Sequence, residues 1–112
     1  MKVKTSELSG VQLDWAVAMC EGYAEGPSGS FWITEDDCVD FKPSTDWAQG
    51  GPVIERERME LRGDGDGGWV AWDYLNPKQY GPTPLIAAMR CYVASKLGVE
   101  VEIPDELKGE SK

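Results

Sequence analysis

Residues 46–51 read Asp-Trp-Ala-Gln-Gly-Gly, and these are residue types that recognise other molecules. The Trp47 indole can stack on a planar group, the Gln49 amide can donate and accept hydrogen bonds, and the backbone at Gly50 and Gly51 can be approached closely. Asp46 adds a carboxylate at the head of the run. Further along, Gly-Pro-Thr-Pro at 81–84 opens a helix. Thr83, with the N–H groups and dipole of that helix start, suits an anion. Arg90 lies within the apolar stripe of the same helix, among Ile86, Met89, Val93 and Leu97, where a guanidinium needs a partner. Two readings of it stand side by side. Arg90 is an anion clamp, or it is structural, paired with Asp14, Asp46 or Glu55 or snorkelling to solvent. Asp46, Trp47, Gln49, Gly50, Gly51, Thr83 and Arg90 therefore form one candidate set for a small anionic or nucleotide-like ligand. The competing reading makes Trp47 a plug that clasps its loop to the core.

Absences narrow the chemistry. The chain has no histidine, which removes His-based triads, His general bases and the usual zinc sites. An enzyme would need carboxylates such as Asp14, Asp46 and Glu55, a cysteine, or a carboxylate-bound metal, and no spacing supports one. No cofactor is expected. Gly-Asp-Gly-Asp-Gly-Gly at 63–68 has the letters of a dinucleotide loop, but two aspartates sit in it and a strand follows it instead of a helix. An EF-hand fails as well, because the twelfth position from Asp64 is Leu75, not a bidentate glutamate. The run reads as a hairpin turn. Cys20, Cys38 and Cys91 include no CxxC pair and are odd in number, which fits reduced thiols in a cytoplasm.

These residues need a scaffold to hold them. Residues 1–5 suit a short strand. Ser9 caps a helix over 10–21 that stops at Gly22. That helix is apolar almost all round, with only Asp14 and Glu21 on a polar strip, so it is packed on two sides, within the domain or against a second copy. Residues 23–30 are loop chemistry. Strands are expected at 31–34 and 38–41, separated by the charged turn 35–37. Ser44 or Thr45 would cap a single turn over 46–48, broken by Gly50-Gly51. Pro52 then starts either a short helix or an extended segment, and 53–58 fits neither period. A hairpin joins 59–62 to 69–74, with Trp69 and Trp72 on opposite faces of its second strand. One of them should face the core and the other be covered by something else. Residues 76–84 are a proline-rich loop. Thr83 and Pro84 are the N-cap and first residue of a helix over 84–97 that ends at Gly98. Residues 99–103 alternate as an edge strand. The order predicts an α+β fold, a small antiparallel β-sheet packed against two α-helices, in a single domain over 1–104 with a polar tail at 105–112.

The bulk numbers agree with one domain. At 112 residues, folding hides roughly 65% of the surface that the unfolded chain exposes. Twenty acidic against eleven basic residues give a net charge of −9, which repels phosphate backbones and argues against direct binding of nucleic acid. Acidic surfaces also keep proteins soluble, and some imitate DNA. No apolar run reaches ~18 residues and the start lacks the apolar core of a signal peptide, so neither membrane nor export is expected.

Three segments, LDWAVAMCEG (13–22), STDWAQGGPVIERE (44–57) and GPTPLIAAMRCYVASKLG (81–98), resemble the NinX-like proteins of lambdoid bacteriophages and prophages. The likeness covers most of the chain. It implies a small cytoplasmic accessory protein made in an infected bacterium, and it carries no biochemical activity with it. Two non-enzymatic functions follow. The first is an accessory protein with a pocket for a small anionic or nucleotide-like ligand. The second is an acidic module, DNA mimicry being one form, that binds and modulates a host or phage protein.

Overall fold

A computed structural model describes residues 2–25, 31–34, 37–73 and 78–104; the polar tail at 105–112 lies outside them. The α+β expectation holds. Lys2–Lys4 (β1) pairs antiparallel with Glu100–Glu102 (β8), so the two ends of the fold meet in one ladder. Ala24–Glu25 (β2), Phe31–Thr34 (β3) and Asp37–Val39 (β4) form one three-stranded antiparallel sheet. Glu60–Gly63 (β5), Trp69–Trp72 (β6) and Gln79–Gly81 (β7) form another. The helices are Gly10–Glu21 (α1), Trp47–Glu57 (α2) and Pro84–Leu97 (α3).

α3 is the centre of the molecule. It packs on the β5–β6–β7 sheet, on α1 and on α2, and its Leu85, Ala87, Ala88, Met89, Cys91, Tyr92 and Val93 are buried. Being covered on several sides, it has no single apolar stripe. α1 behaves the same way: Leu13, Ala16, Val17 and Ala18 are fully buried and Trp15, Met19 and Cys20 are partly covered. The fold itself thus covers much of this all-round apolar helix.

The helix boundaries follow local chemistry. Thr83 caps α3, its hydroxyl accepting from the Ile86 N–H at 3.1 Å, and Pro84 follows at the first turn. α1 ends at Gly22, left-handed at φ 80°. Ser9 stands at the N-cap of α1, but its side chain makes no capping bond.

α2 corrects the sequence reading. One broken turn was expected at 46–48, yet the helix runs eleven residues through Gly50, Gly51 and Pro52. Its cap is Asp46, whose carboxylate accepts from the Ala48 N–H at 2.9 Å, and not Ser44 or Thr45. A proline inside a helix and two glycines cost local stability. Packing offsets that cost: Gly50 and Val53 are buried and Ile54 lies against the core. The helix ends at Arg58 in the left-handed region, φ 55°, where a glycine would have announced the stop.

Two strands fall where loops were expected. β2 lies within 23–30, and β7 within the proline-rich run 76–84. Strand partners decide both, since β7 is held by register with β6, Val70 opposite Tyr80 and Ala71 opposite Gln79. The expected hairpin is present as β5 and β6. Its turn is built by Asp64, whose carboxylate accepts from the N–H groups of Asp66 and Gly68, with Gly65 and Gly67 both at φ 91°.

Candidate functional site

Trp47 begins α2 with 53% of its surface exposed, although it belongs to a short list of large apolar side chains left outside. It lines a groove of about 210 Å³ together with Ser44, Thr45, Thr83, Pro84, Leu85 and Ile86. The tryptophan therefore faces the start of α3 instead of plugging the core. The groove joins Trp47 and Thr83, which are 36 positions apart in sequence, and its walls are mostly apolar.

The other candidates have different employments. Asp46 is the cap of α2. Gln49 is committed at both ends of its amide: it accepts from the Lys42 N–H at 2.7 Å and donates to the Asp40 carbonyl at 3.0 Å, bracing the segment before the helix. Gly50 is a packing residue. A Cβ there would stand 2.5 Å from the Pro43 carbonyl oxygen and 2.7 Å from Leu85 Cδ2. Gly51 is open, and a Cβ would only touch the Trp47 ring at 4.0 Å.

Arg90 is engaged elsewhere. Its Nε donates to the Leu8 carbonyl at 2.7 Å and one terminal nitrogen to the Tyr80 carbonyl at 2.6 Å. Among the described residues it forms no ion pair with Asp14, Asp46 or Glu55, and burial pushes its pKa down. It is a brace tying α3 to β7 and to the segment before α1. At the start of α3, Pro84 has no N–H, and the N–H groups of Ile86 and Ala87 are already taken by the hydroxyl and carbonyl of Thr83, which leaves fewer donors for an anion.

Two polar arrangements were not foreseen as such. Asp14, buried in α1, accepts from the Ser44 N–H at 2.8 Å. Burial outweighs that bond and raises its pKa. The Ser44 hydroxyl lies near the same carboxylate without a hydrogen bond of good geometry. The second arrangement joins all three helices. Arg56 of α2 grips the Glu21 carboxylate with two nitrogens, at 3.1 and 2.6 Å, and also reaches the Tyr92 hydroxyl at 3.1 Å, while that hydroxyl donates to Glu21. Burial pushes the Glu21 pKa up, but the bonds from Arg56 and Tyr92 prevail and hold it low. In sequence these residues are far apart; only the packing of the three helices makes them a network. Arg56 commits its guanidinium to Glu21, Glu57 and Tyr92, tying the three helices together. Cys20 and Cys91 are pushed up to about 12 by burial, which makes them poor nucleophiles.

The family model for bacteriophage P22 NinX matches residues 4–96. The chain belongs to this NinX family. It is thus a phage accessory protein, and the matched span holds α1, α2, the Trp47 groove and nearly all of α3. No curated protein sequence matches it. Among the described residues no helix is long and apolar enough to cross a membrane.

Proposed function

We propose that this NinX-family protein acts by binding another protein, with Trp47 and the groove beside α3 as its anchor point. The observation that carries the reading is a half-exposed tryptophan held in the first turn of a capped helix, against an apolar groove. Exposed, rigidly held tryptophans are the residues that dominate binding energy at protein interfaces. Size and charge favour this over the nucleotide-like ligand. Small-molecule sites usually enclose ~300–1,000 Å³, and this groove offers about 210 Å³, enough for one ring or one branched side chain. The cation that would have met a phosphate, Arg90, is spent on backbone carbonyls. The net charge of −9 would steer the protein to a basic partner.

A magnitude follows. An aromatic side chain offers roughly 150–250 Å², and covering the exposed half at about 25 cal/mol per Å² contributes ~2–3 kcal/mol, a loss of roughly 30- to 150-fold in affinity on truncation. The test is capture of partners from infected cells with wild type, Trp47→Ala and Trp47→Phe, followed by affinity measurement on the purified partner. Loss with alanine and retention with phenylalanine support the reading, provided thermal unfolding shows all three folded. Equal capture by Trp47→Ala overturns it. A thermal shift by a free nucleotide or metabolite that disappears in Trp47→Ala would instead favour the small-ligand reading.

A further inference from the structure

The β5–β6–β7 sheet has two outer edges, β5 and β7. The Asp64 N–H bonds the Gly68 carbonyl at 3.1 Å, and these two residues continue the register that sets Arg62 against Val70 and Glu60 against Trp72. Bonded and unbonded positions alternate along an antiparallel ladder, so Glu60 and Arg62 bond toward β6 while Leu61 and Gly63 turn their N–H and C=O groups outward. The same count turns Tyr80 outward on β7, and there Arg90 takes the Tyr80 carbonyl. Among the described residues no hydrogen bond takes the outward groups of Leu61 or Gly63. The side chains along this open edge alternate in charge. Arg58, Glu60, Arg62 and Asp64 are all exposed, and Glu60 and Arg62 share the sheet face opposite Leu61. Set antiparallel against itself about Leu61, the series is complementary at every step: Glu60 meets Arg62, and at the flanks Arg58 meets Asp64. Sliding one strand by two residues sets Arg62 against Arg62 or Glu60 against Glu60. The β1–β8 ribbon has no such match, because self-pairing of β1 would oppose Lys2 and Lys4, and self-pairing of β8 would oppose Glu100 and Glu102.

We infer that two copies of this chain pair edge to edge through β5, antiparallel about Leu61, joining their three-stranded sheets into one. The two Leu61 residues exchange a pair of backbone hydrogen bonds across the two-fold axis. Glu60 of each copy then lies opposite Arg62 of the other, at positions where cross-strand side chains approach most closely. Within one chain, among the described residues, neither Glu60 nor Arg62 has an ion pair. Arg62 lies over the Trp72 ring, and a stacked guanidinium keeps its edge for a carboxylate. The interface is isologous and closes at two copies. Strands of four residues bury little area, so the dimer is weak and depends on concentration. The net charge of −9 on each copy opposes association at low salt, but at physiological salt a charge is felt over only ~8 Å.

Sedimentation velocity and amide hydrogen exchange test this on the intact protein over a range of concentrations. Wild type should form dimers as concentration rises. The Leu61 amide should then exchange more slowly, while that of Arg62, already bonded to β6, changes little. Glu60→Arg and Arg62→Glu should each weaken self-association by about tenfold or more, because both symmetric pairs turn from attraction to repulsion. Mixed together, the two variants should associate again, since their edges are then opposite in charge. Both positions are exposed, so each variant keeps its fold, which circular dichroism checks. A wild type still monomeric at about 1 mM, its edge then left for another protein's strand, overturns the inference. So does a dimer that neither reversal weakens, or a mixture of the folded variants that fails to associate. Slowed exchange at α1 or the Trp47 groove in place of Leu61 overturns it as well.

Discussion

Adjacent glycines in α2 should respond oppositely to the same added methyl group. Gly50 and Gly51 both sit inside the helix, where alanine is favoured over glycine by about 1 kcal/mol. At Gly51 the new Cβ meets only the Trp47 ring at 4.0 Å, an ordinary contact, so Gly51→Ala should stabilise the protein by about 0.5–1 kcal/mol. At Gly50 the Cβ would lie 2.5 Å from the Pro43 carbonyl oxygen and 2.7 Å from Leu85 Cδ2. Leu85 is itself buried, and the carbonyl belongs to the turn that Asp46 and Thr45 close with hydrogen bonds to Lys42. Neither can yield without disturbing its surroundings. Overpacking of this kind costs roughly 1–3 kcal/mol, which exceeds the propensity gain, so Gly50→Ala should be destabilised by up to ~2 kcal/mol. The difference between the two variants, about 1–3 kcal/mol, corresponds to a separation of several degrees in Tm for a domain of this size. Urea unfolding followed by tryptophan fluorescence reads both. Equal stability of the two would refute the packing argument, and destabilisation of both would refute a continuous helix through Gly-Gly-Pro.

Glu21→Gln removes the charge that Arg56 and Tyr92 share, and should cost about 1–2 kcal/mol at neutral pH, less than a fully buried pair because Arg56 is half exposed. The Glu21 pKa is lowered in the fold, so its contribution is complete above the ordinary glutamate range and is lost as pH falls through the lowered value; the wild-type and variant stability curves should converge in acid. Asp14 has the opposite sign. Its pKa is raised by burial, so the folded state holds its proton more tightly and stability falls as pH rises through the window between the ordinary and raised values. Asp14→Asn, whose carbonyl can still accept from Ser44, should gain most on wild type at neutral pH and lose that advantage as pH drops; a variant advantage that grows in acid contradicts the assignment.

What the sequence by itself determined is whatever depends on near neighbours. The Thr83-Pro84 start and Gly98 end of α3, the Gly22 stop of α1, and the hairpin around Asp64 are each decided by a few residues' own backbone preferences and hydrogen bonds. Trp47 and Thr83 were each legible as candidates by residue type, but the groove that joins them was not, since its two walls come from segments far apart in sequence. Tertiary structure alone decided the rest. α2 survives Gly-Gly-Pro because Gly50 fits between Pro43 and Leu85, residues the local pattern does not connect to it. β7 is a strand because β6 offers it a ladder. Arg90 leaves the candidate set because two carbonyls, 10 and 82 positions away, capture its guanidinium. The free energy that settled each of these comes from contacts formed only when remote segments meet, so no window of local sequence contains it.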